Sequence, residues 1–370
     1  ALLQGSPARL GAQACHAEPH GAFTGGVSAH MLIVLTSDCS PGDRQRVVAA
    51  VEEAGCTWTP LKAGNRTLLA VTGDVERLRE VPLKRWPGVK KVIALTDPYL
   101  LASREHQAEP SVVTVGGVRI GGGGFVVVGG PCAVEGREPL LGIAHAVRAA
   151  GADLLRGGAY KPRTSPYSFR GLGREGLELL KEASQATGLP TVSEVTDPRQ
   201  VEEAVGLVDM LQVGTRNMSN FDLLVEVGRS GHPVLLKRGQ AATISEWLLA
   251  AEYILAQGNP NVVLCERGVR GFDPSTRNLL DLSAVPVLRS RTHLPVLVDP
   301  SHATGHAALV PAMARAACAA GADGVMVEVH SHPAAALCDA EQAMLPQAFA
   351  SLVEDLRALA HALQGARSTR

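Results

Sequence analysis

Eight short apolar runs recur between residues 125 and 330, and nearly every one ends in a charged or metal-capable side chain. Helical patterns separate the runs, and most of these patterns end in glycine, a common residue at the end of an α-helix. Strands that alternate with helices in this way pair in parallel. Eight repeats over roughly 250 residues favour a closed α/β barrel, the (β/α)8 TIM barrel, over an open doubly wound sheet.

The polar ends of the runs predict where chemistry occurs. In a barrel of eight parallel strands, all the carboxyl ends open onto one face, and that face carries the active site. We therefore expect one mouth to gather a thiol, imidazoles, carboxylates and several cations. The residues concerned are Cys132, Arg156, Lys161, Glu194, Gln212, Arg216, Lys237, Arg238, Glu266, Arg267, Asp299, His302, Glu328 and His330.

The segment before the barrel has a pattern of its own. Residues 31–97 predict the order βαββαβ, which is typical of a small α+β ferredoxin-like domain. We interpret residues 98–112 as a linker and residues 113–365 as the barrel, whose first strand is preceded by a short hairpin. Residues 1–30 have no apolar period and lack the apolar core of a signal peptide, so we interpret them as a disordered extension or a tag.

Composition excludes several classes of partner. A net charge of -1 provides no basic field for nucleic acid or acidic lipid. No apolar run approaches the roughly 20 residues of a membrane-spanning helix. The seven cysteines are odd in number and scattered, which favours reduced thiols in a cytoplasmic protein over a disulfide framework.

Four of the candidate residues suit a metal ion. Cys132, His302, Glu328 and Asp339 would offer a thiolate, an imidazole and two carboxylates, a set that suits a divalent transition metal with one position left open. A buried apolar role for Cys132 and a helix-capping role for Asp339 are the ordinary alternatives. The competing ligands His306, His330 and His332 are less favoured.

The cations form a second group. Arg156, Lys161, Arg163, Arg216, Lys237, Arg238 and Arg267 all lie at or just beyond predicted strand ends. One such residue would suggest a surface salt bridge, but seven at equivalent places indicate a substrate with more than one acidic group. Thr164 and Ser165 add hydroxyl donors suited to a phosphate. Glu194 and Glu266 would then hold the cations in place or transfer protons.

These residues lie in motifs that resemble a known family. GGPCAVEG, LLRGGAYKPRTSPYSF, LLKRG, DPSHATG and VEVHSHP with CDAEQ are similar to type I 3-deoxy-7-phosphoheptulonate (DAHP) synthase. The resemblance spans residues 113–360 with its motifs in order, and it implies a transferase of the shikimate pathway of aromatic amino acid biosynthesis. The reaction would condense phosphoenolpyruvate with erythrose 4-phosphate and release phosphate.

The resemblance also implies a role for each site residue. Cys132, His302, Glu328 and Asp339 would hold a divalent metal such as manganese, iron or zinc. Residues that match phosphoenolpyruvate-binding positions are Arg156, Lys161, Arg216, Lys237 and Arg267. Arg163, Thr164 and Ser165 match the stretch that holds the phosphate of the aldose. We assign catalytic roles to Lys161, Cys132, His302 and Glu194.

The small domain resembles the regulatory extension on the I-beta branch of this family. There it binds an aromatic end product, so tyrosine or phenylalanine is the expected effector here, and a structural or oligomerisation domain is the alternative. The resemblance further implies a homo-oligomer, since homotetramers are common among relatives.

Three other functions remain open on the sequence. A 3-deoxy-manno-octulosonate 8-phosphate synthase would use arabinose 5-phosphate, although that relative usually has KANRSS where this chain has KPRTS. An inactive amino-acid-binding regulator would have gaps in the ligand or cation sets, and the sequence has none. A metal-independent aldolase with a Schiff-base lysine would survive chelation.

Overall fold

A computed structural model of the chain describes residues 31–63, 66–94, 98–163, 165 and 167–368. Predictions for residues 1–30 and for Thr164 therefore lie outside the described residues. In the described ranges, a small domain precedes a larger barrel, as the sequence predicts.

The small domain is a four-stranded antiparallel sheet with helices between its strands, and its strand order is β2-β3-β1-β4. Ser40 starts the first helix, because its Oγ accepts a hydrogen bond from the Asp43 backbone N at 3.1 Å. The order βαββαβ is the predicted ferredoxin-like arrangement. Its elements are β1 (Met31–Leu35), α1 (Pro41–Glu53), β2 (Thr57–Ala63), β3 (Arg66–Thr72), α2 (Glu76–Arg79) and β4 (Val89–Ala94).

The larger domain is a closed ring of eight parallel strands, preceded by an antiparallel hairpin. The last strand pairs with the first of the ring, which closes the barrel and leaves no sheet edge exposed. The predicted (β/α)8 fold is confirmed. Its strands are β5 (Val112–Val115) and β6 (Val118–Gly121) in the hairpin, then β7 (Val126–Gly130), β8 (Leu154–Arg156), β9 (Thr191–Val195), β10 (Met210–Val213), β11 (Val234–Lys237), β12 (Val262–Glu266), β13 (Val296–Val298) and β14 (Gly324–Glu328).

Helices surround the ring and cover its outer face. They bury their apolar sides against the strands in one continuous core. The helices are α3 (Arg137–Ala149), α4 (Arg174–Thr187), α5 (Val201–Val205), α6 (Phe221–Arg229), α7 (Ile244–Ala256), α8 (Ala284–Arg291), α9 (Pro300–Thr304), α10 (Val310–Ala320) and α11 (Pro346–Ser368).

The hairpin closes the amino-terminal end of the barrel. Val113, Val115 and Ile120 are buried in the same cluster as inward-facing residues of the barrel strands, such as Leu154 and Met326. Because apolar side chains fill this end, polar chemistry along the barrel axis is expected at the opposite, carboxyl-terminal end.

The segment that joins the domains is ordered and packed against the barrel. Tyr99, Leu100, Leu101 and Ala102 are buried, and their cluster also contains Leu32 from the small-domain sheet. We call residues 98–111 the strap. The domain boundaries predicted from the sequence, at residues 31–97, 98–112 and 113–365, remain a prediction.

None of the helices in the described ranges is both long and apolar enough to cross a membrane.

Candidate active site

The carboxyl ends of the barrel strands surround a cavity of about 310 Å³. Seven arginines and lysines line it, against two carboxylates, so the cavity is strongly positive and suits an anionic ligand. Of the residues predicted from sequence, most line this cavity directly. The charged and polar lining consists of Arg156, Lys161, Arg163, Ser165, Ser168, Glu194, Gln212, Thr215, Arg216, Lys237, Arg267, Arg277, His302 and Asp339.

The four predicted metal ligands come together at one side of the cavity. One ligand atom each from Cys132, His302, Glu328 and Asp339 lies within 4.8 Å of all the others. Cys132 follows β7, Glu328 ends β14, His302 lies on α9 and Asp339 lies in the loop beyond β14. A soft thiolate beside imidazole and carboxylate donors at this spacing fits a divalent transition metal.

The competing histidines lie elsewhere. Among the described residues, the group that could hold a metal includes none of His306, His330 and His332. His306 is exposed, and His330 accepts a hydrogen bond at Nδ1 from the backbone of His332 at 3.1 Å. Its Nε2 lies 3.4 Å from a carboxylate oxygen of Glu135, on the loop after β7.

Asp299 orients the imidazole of His302. It caps α9 by accepting the backbone N–H of His302 at 2.9 Å, and its other oxygen lies 2.6 Å from Nδ1 of the same ring. A metal-bound histidine typically donates its second N–H to a carboxylate in this way. Nε2 is then directed at the Glu328 carboxylate, 2.9 Å away. The arrangement fixes which ring nitrogen faces the other ligands.

The pKa values of the ligands indicate a site built for a cation. Burial opposes the charged form of His302, but the carboxylates of Asp299 and Glu328 outweigh it and raise the pKa of His302 to about 9. A hydrogen bond with Cys338, burial and the charge of Glu328 raise the pKa of Cys132. The carboxylates thus favour any positive charge placed among them, and a thiolate at Cys132 requires one.

Three buried cations have a partner within the site. The Arg156 guanidinium donates to Glu328 at 2.8 Å, and the Lys161 ammonium donates to the Cys132 sulfur at 3.1 Å. Lys237 forms a salt bridge with Asp299. These pairings compensate charges that would otherwise be costly to bury, and they connect the cation group directly to the metal ligands.

Three other cations of the cavity have no carboxylate partner among the described residues. Over the described ranges, Arg163, Arg216 and Arg267 form no salt bridge, although Arg267 is 4% exposed and contacts only backbone oxygens, including that of His302 at 3.1 Å. A buried guanidinium without a counter-charge is expected where an anionic ligand binds. Ser165 lines the cavity beside Arg163.

Of the two glutamates predicted to hold cations or transfer protons, Glu194 is the one that lines the cavity. It is buried, lines the cavity and accepts a hydrogen bond from the Gln212 side chain at 3.1 Å. The other Gln212 amide atom, Oε1, is buried and has no hydrogen-bond partner among the residues that the structure describes. A Cβ atom at Gly214 would lie 1.8 Å from Oε1 of Glu194, so the glycine after β10 is needed to admit this carboxylate.

The expectation that Arg238 and Glu266 face the mouth is wrong. They pair with each other at 2.9 Å behind it, and Arg238 also binds Asp281 and lies over the ring of Trp247. Neighbouring side chains along a strand point in opposite directions, so Lys237 enters the cavity while Arg238 leaves it.

Sequence analysis missed three residues of the site. Asp299 was noted as a strand end but given no role, although its place three residues before His302 is a recognisable capping signal. Arg277 and Gln342 contact the ligands Asp339 and Glu328, and no strand-end pattern marks either residue.

Comparison with known proteins agrees with this geometry. The family described as "DAHP synthetase I family" matches residues 102–364, and the "DAHP synthase ferredoxin-like domain" matches residues 31–97. The chain belongs to the DAHP synthetase I family. The prediction of a DAHP synthase, a barrel enzyme with a ferredoxin-like domain, is confirmed, as is the condensation for which that family is named.

Individual relatives cover between two thirds and nine tenths of this chain. A phospho-2-dehydro-3-deoxyheptonate aldolase of Thermotoga maritima is 44% identical over 333 residues, which is 90% of this chain and 98% of the relative. The crystal structure of the Thermotoga maritima DAHP synthase matches with a TM-score of 0.72 at 42% identity, covering 90% of this chain and 98% of that one. A 2-dehydro-3-deoxyphosphooctonate aldolase of Citrifermentans bemidjiense is 33% identical over 67% of this chain and 96% of its own.

One match falls outside the two domains of the family. Triosephosphate isomerase matches residues 1–39, which overlap the ferredoxin-like match only at residues 31–39. It covers too little of the described chain to bear on the barrel or its site.

Proposed function

We propose that the described cavity binds phosphoenolpyruvate and erythrose 4-phosphate beside a divalent metal and joins them into DAHP, with release of phosphate. One observation supports this above all. The four-ligand group and the unpaired cations open into the same cavity and share Arg156 and Lys161 as links.

The deep cations hold phosphoenolpyruvate. Its carboxylate and phosphate need several donors at fixed positions, and Arg156, Lys161, Arg216, Lys237 and Arg267 surround one volume. Lys161 is well placed at the reacting end, because its ammonium is 3.1 Å from the Cys132 sulfur. Its pKa is raised despite burial, mainly by the charge of Cys132, so the lysine stays protonated and binds anions.

The cavity rim holds the aldose phosphate. Arg163 and Ser165 lie on the loop after β8, where they leave the deeper cations free for the other substrate. Thr164 belongs to the same proposed group and lies outside the described residues. The aldehyde end of the sugar then points inward, toward the four ligands.

A divalent metal held by Cys132, His302, Glu328 and Asp339 would supply a Lewis acid for the aldehyde oxygen. The chain's own cations place C3 of phosphoenolpyruvate against the aldehyde carbon, where the new bond forms. The aldehyde oxygen becomes a hydroxyl by gaining one proton, which balances the proton that the attacking water gives up. Water adds to C2, and the C2–O bond to the phosphate breaks. The electron pair leaves with inorganic phosphate, and C2 becomes the ketone.

Glu194 takes the proton from the attacking water. Asp339 and Glu194 are the carboxylates that line the cavity, and Asp339 is committed to the metal group. Gln212 holds one oxygen of Glu194 and presents its own free amide oxygen nearby, so the pair can orient a water between them.

The decisive experiment is turnover with phosphoenolpyruvate and erythrose 4-phosphate before and after metal removal. Chelation should abolish phosphate release, and manganese, iron or zinc should restore it. Cys132→Ala should lose most activity, with Cys318→Ala, a buried cysteine away from the site, as the matched control. Full activity of Cys132→Ala, or turnover that survives chelation, would contradict the proposal and favour a Schiff-base lysine.

The same assay separates the alternative aldose. Relatives named 2-dehydro-3-deoxyphosphooctonate aldolase share 33% identity over 67% of this chain, so arabinose 5-phosphate is the aldose to compare. We expect kcat/KM to favour erythrose 4-phosphate by at least ~100-fold, a difference of ~2.7 kcal/mol. Preference for the pentose would reverse the assignment.

The small domain is proposed to regulate the barrel by binding tyrosine or phenylalanine. Support comes from the ferredoxin-like match at residues 31–97 and from the packing of the domain's sheet against the barrel core. Calorimetry and inhibition assays with both amino acids test this. If neither binds and neither slows turnover, the domain is structural.

A homo-oligomer, taken as a tetramer, is proposed from the exposed apolar side chains on the loops near the mouth, which include Phe272 and Leu279. Sedimentation velocity measures the state directly, and a monomer at micromolar concentration would contradict it. A cytoplasmic location is proposed as well, since five described cysteines are free thiols: Cys39, Cys56, Cys132, Cys265 and Cys338. Disulfides in the protein isolated from cells would oppose it.

A further inference from the structure

Arg277 lies in the cavity wall although it is far from any strand end. It belongs to the long loop between β12 and α8, and its side chain is 35% exposed. Exposure of this degree would suit a residue that binds substrate or one that holds part of the protein. Its contacts distinguish these two roles.

The guanidinium of Arg277 contacts one proposed metal ligand directly and a second one through an intervening amide. Nη1 donates to Oδ1 of Asp339 at 3.1 Å and to Oε1 of Gln342 at 2.8 Å. The amide of Gln342 then donates to Oε2 of Glu328 at 2.6 Å. One arginine therefore connects directly to one ligand carboxylate and, through one amide, to a second.

Asp339 has a backbone conformation that calls for such support. Its φ of 53° is in the left-handed region, and it is the one non-glycine residue with a positive φ in the described ranges. Aspartate tolerates this region better than most residues, but a single loop residue there is held only by its surroundings. Its carboxylate, shared between Arg277 and the Cys132 sulfur at 3.1 Å, provides that hold.

The backbone around Arg277 is attached to the helix that carries a third ligand. Its N–H donates to Thr304 O at 3.0 Å, and the next N–H donates to Ala303 O at 2.8 Å. The side-chain amide of Asn278 reaches the carbonyl of His302 at 3.1 Å. Gly305 leaves room for the Arg277 stem, because a Cβ there would be 2.7 Å from Cβ of the arginine.

We propose that Arg277 is a positioning residue that assembles the metal site from three separate segments: α9 with His302, the end of β14 with Glu328, and the loop with Asp339. This inference rests on the proposed metal site. Without the guanidinium, the Asp339 loop and the Gln342 amide lose their common anchor, and the ligand geometry loosens before substrate is present.

The test measures metal affinity rather than turnover. Metal-free protein is titrated with Mn²⁺ by calorimetry for the wild type, Arg277→Met, Arg277→Lys and Gln342→Met. We expect Arg277→Met to weaken Mn²⁺ binding ~10- to 100-fold, the usual effect of losing a residue that orients metal ligands. Arg277→Lys keeps the positive charge and should bind Mn²⁺ more tightly than Arg277→Met. It should not reach the wild-type affinity, because an ammonium cannot span both acceptors. The double variant Arg277→Met/Gln342→Met, titrated in the same way, should lose less affinity than the product of the two single losses, since both residues act through one network.

Arg270→Met is the matched control. Arg270 lies on the same loop and is exposed, and its side chain forms one hydrogen bond within the described residues, to Gln240 at 3.4 Å. The Mn²⁺ affinity of Arg270→Met should therefore equal that of the wild type. Circular dichroism of the metal-free proteins establishes that each variant is folded. If Arg277→Met does not fold, Arg277→Lys decides the matter, since it keeps the stem against Gly305.

Each result has one meaning. Wild-type protein that binds no Mn²⁺ overturns the proposed metal site itself. Wild-type protein that binds Mn²⁺ while the Arg277 variants bind it equally well overturns the positioning role alone. A raised KM for the aldose phosphate with unchanged Mn²⁺ affinity makes Arg277 a substrate-binding cation and also overturns it.

Discussion

At the level of single residues, charge pairing distinguishes cations that are held in place before a ligand binds from a cation that has no counter-charge until then. Arg156 and Lys237 are buried with carboxylates in contact, so their positions are fixed before any ligand binds. Arg267 is as deeply buried, and in the described part of the chain it makes no salt bridge. The unmatched guanidinium marks the place where substrate charge is expected.

Gly214→Ala tests the role of Glu194 by displacing its carboxylate sterically, without changing the residue itself. The added methyl would be 1.8 Å from Oε1 of Glu194, so the carboxylate must turn away from the cavity. We expect kcat to fall ~100-fold or more, the usual contribution of general acid–base catalysis, with unchanged Mn²⁺ affinity.

The control is Gly206→Ala, before the same strand, where the added Cβ has an ordinary contact at 3.7 Å. Comparable kcat values for Gly214→Ala and Gly206→Ala would remove Glu194 from the proton-transfer step.

The strap is the element whose order the sequence could not predict. His293, from the loop before β13, joins it to the barrel: Nε2 lies 2.7 Å from the Leu101 carbonyl and Nδ1 lies 2.8 Å from the Ser111 hydroxyl. Burial lowers the pKa of His293, and burial with the nearby charge of His293 lowers the pKa of His106 on the strap. The folded strap therefore favours neutral histidines.

This linkage predicts acid sensitivity with a definite sign. An unfolded histidine titrates near pH 6.5 and the folded His293 below it, so its stabilising effect is complete above pH ~7 and is lost as the pH falls through 6.5. The free energy of unfolding, measured in urea from pH 8 to 5, should fall less for His293→Gln than for the wild type.

His145→Gln, an exposed histidine on α3, serves as the control and should keep the wild-type slope. Comparing slopes also removes the opposite contribution of His302, which all three proteins share. Equal slopes for His293→Gln and the wild type would show that the strap does not sense pH through this residue.

At the scale of the whole molecule, one half-buried carboxylate attaches the strap between the two domains to the barrel. Glu252 on α7 accepts the backbone N–H groups of Leu100, Leu101 and Ala102 at 3.1, 2.7 and 2.9 Å. Burial raises its pKa against the opposing effect of these bonds. The strap is thus attached to the barrel next to the small-domain sheet, since β2 also contacts α7.

Glu252→Gln should loosen this attachment. The glutamine side chain keeps one acceptor oxygen, but its NH2 group replaces the second oxygen and faces a backbone N–H of the strap. We therefore expect the free energy of unfolding to fall by ~1–3 kcal/mol. Hydrogen exchange at Leu100, Leu101 and Ala102 should accelerate, while Glu226→Gln on the exposed face of α6 should change neither quantity. Wild-type exchange at these three amides would show that the strap is held by apolar packing alone.

The sequence by itself determined the fold class and most of the site. Strand and helix periods are local, and parallel strands must present their carboxyl ends together, so the ligand set and most cations could be predicted. The direction in which a side chain points, and its contact partners far away in the sequence, could not be predicted. Neighbouring residues such as Lys237 and Arg238 diverge at a strand end, and which one enters the cavity depends on the twist of the sheet and on what packs behind it.

Only the tertiary structure decided the contacts between distant segments. Arg277 meets Asp339 across 62 residues, and Leu101 meets Glu252 across 151. Such pairs leave no periodic trace, because each depends on the closure of the barrel and on loops whose course no local pattern specifies. The sequence therefore determined which chemical groups lie near the cavity. The fold decided which of them position the metal ligands, which bind substrate and which point away from the cavity.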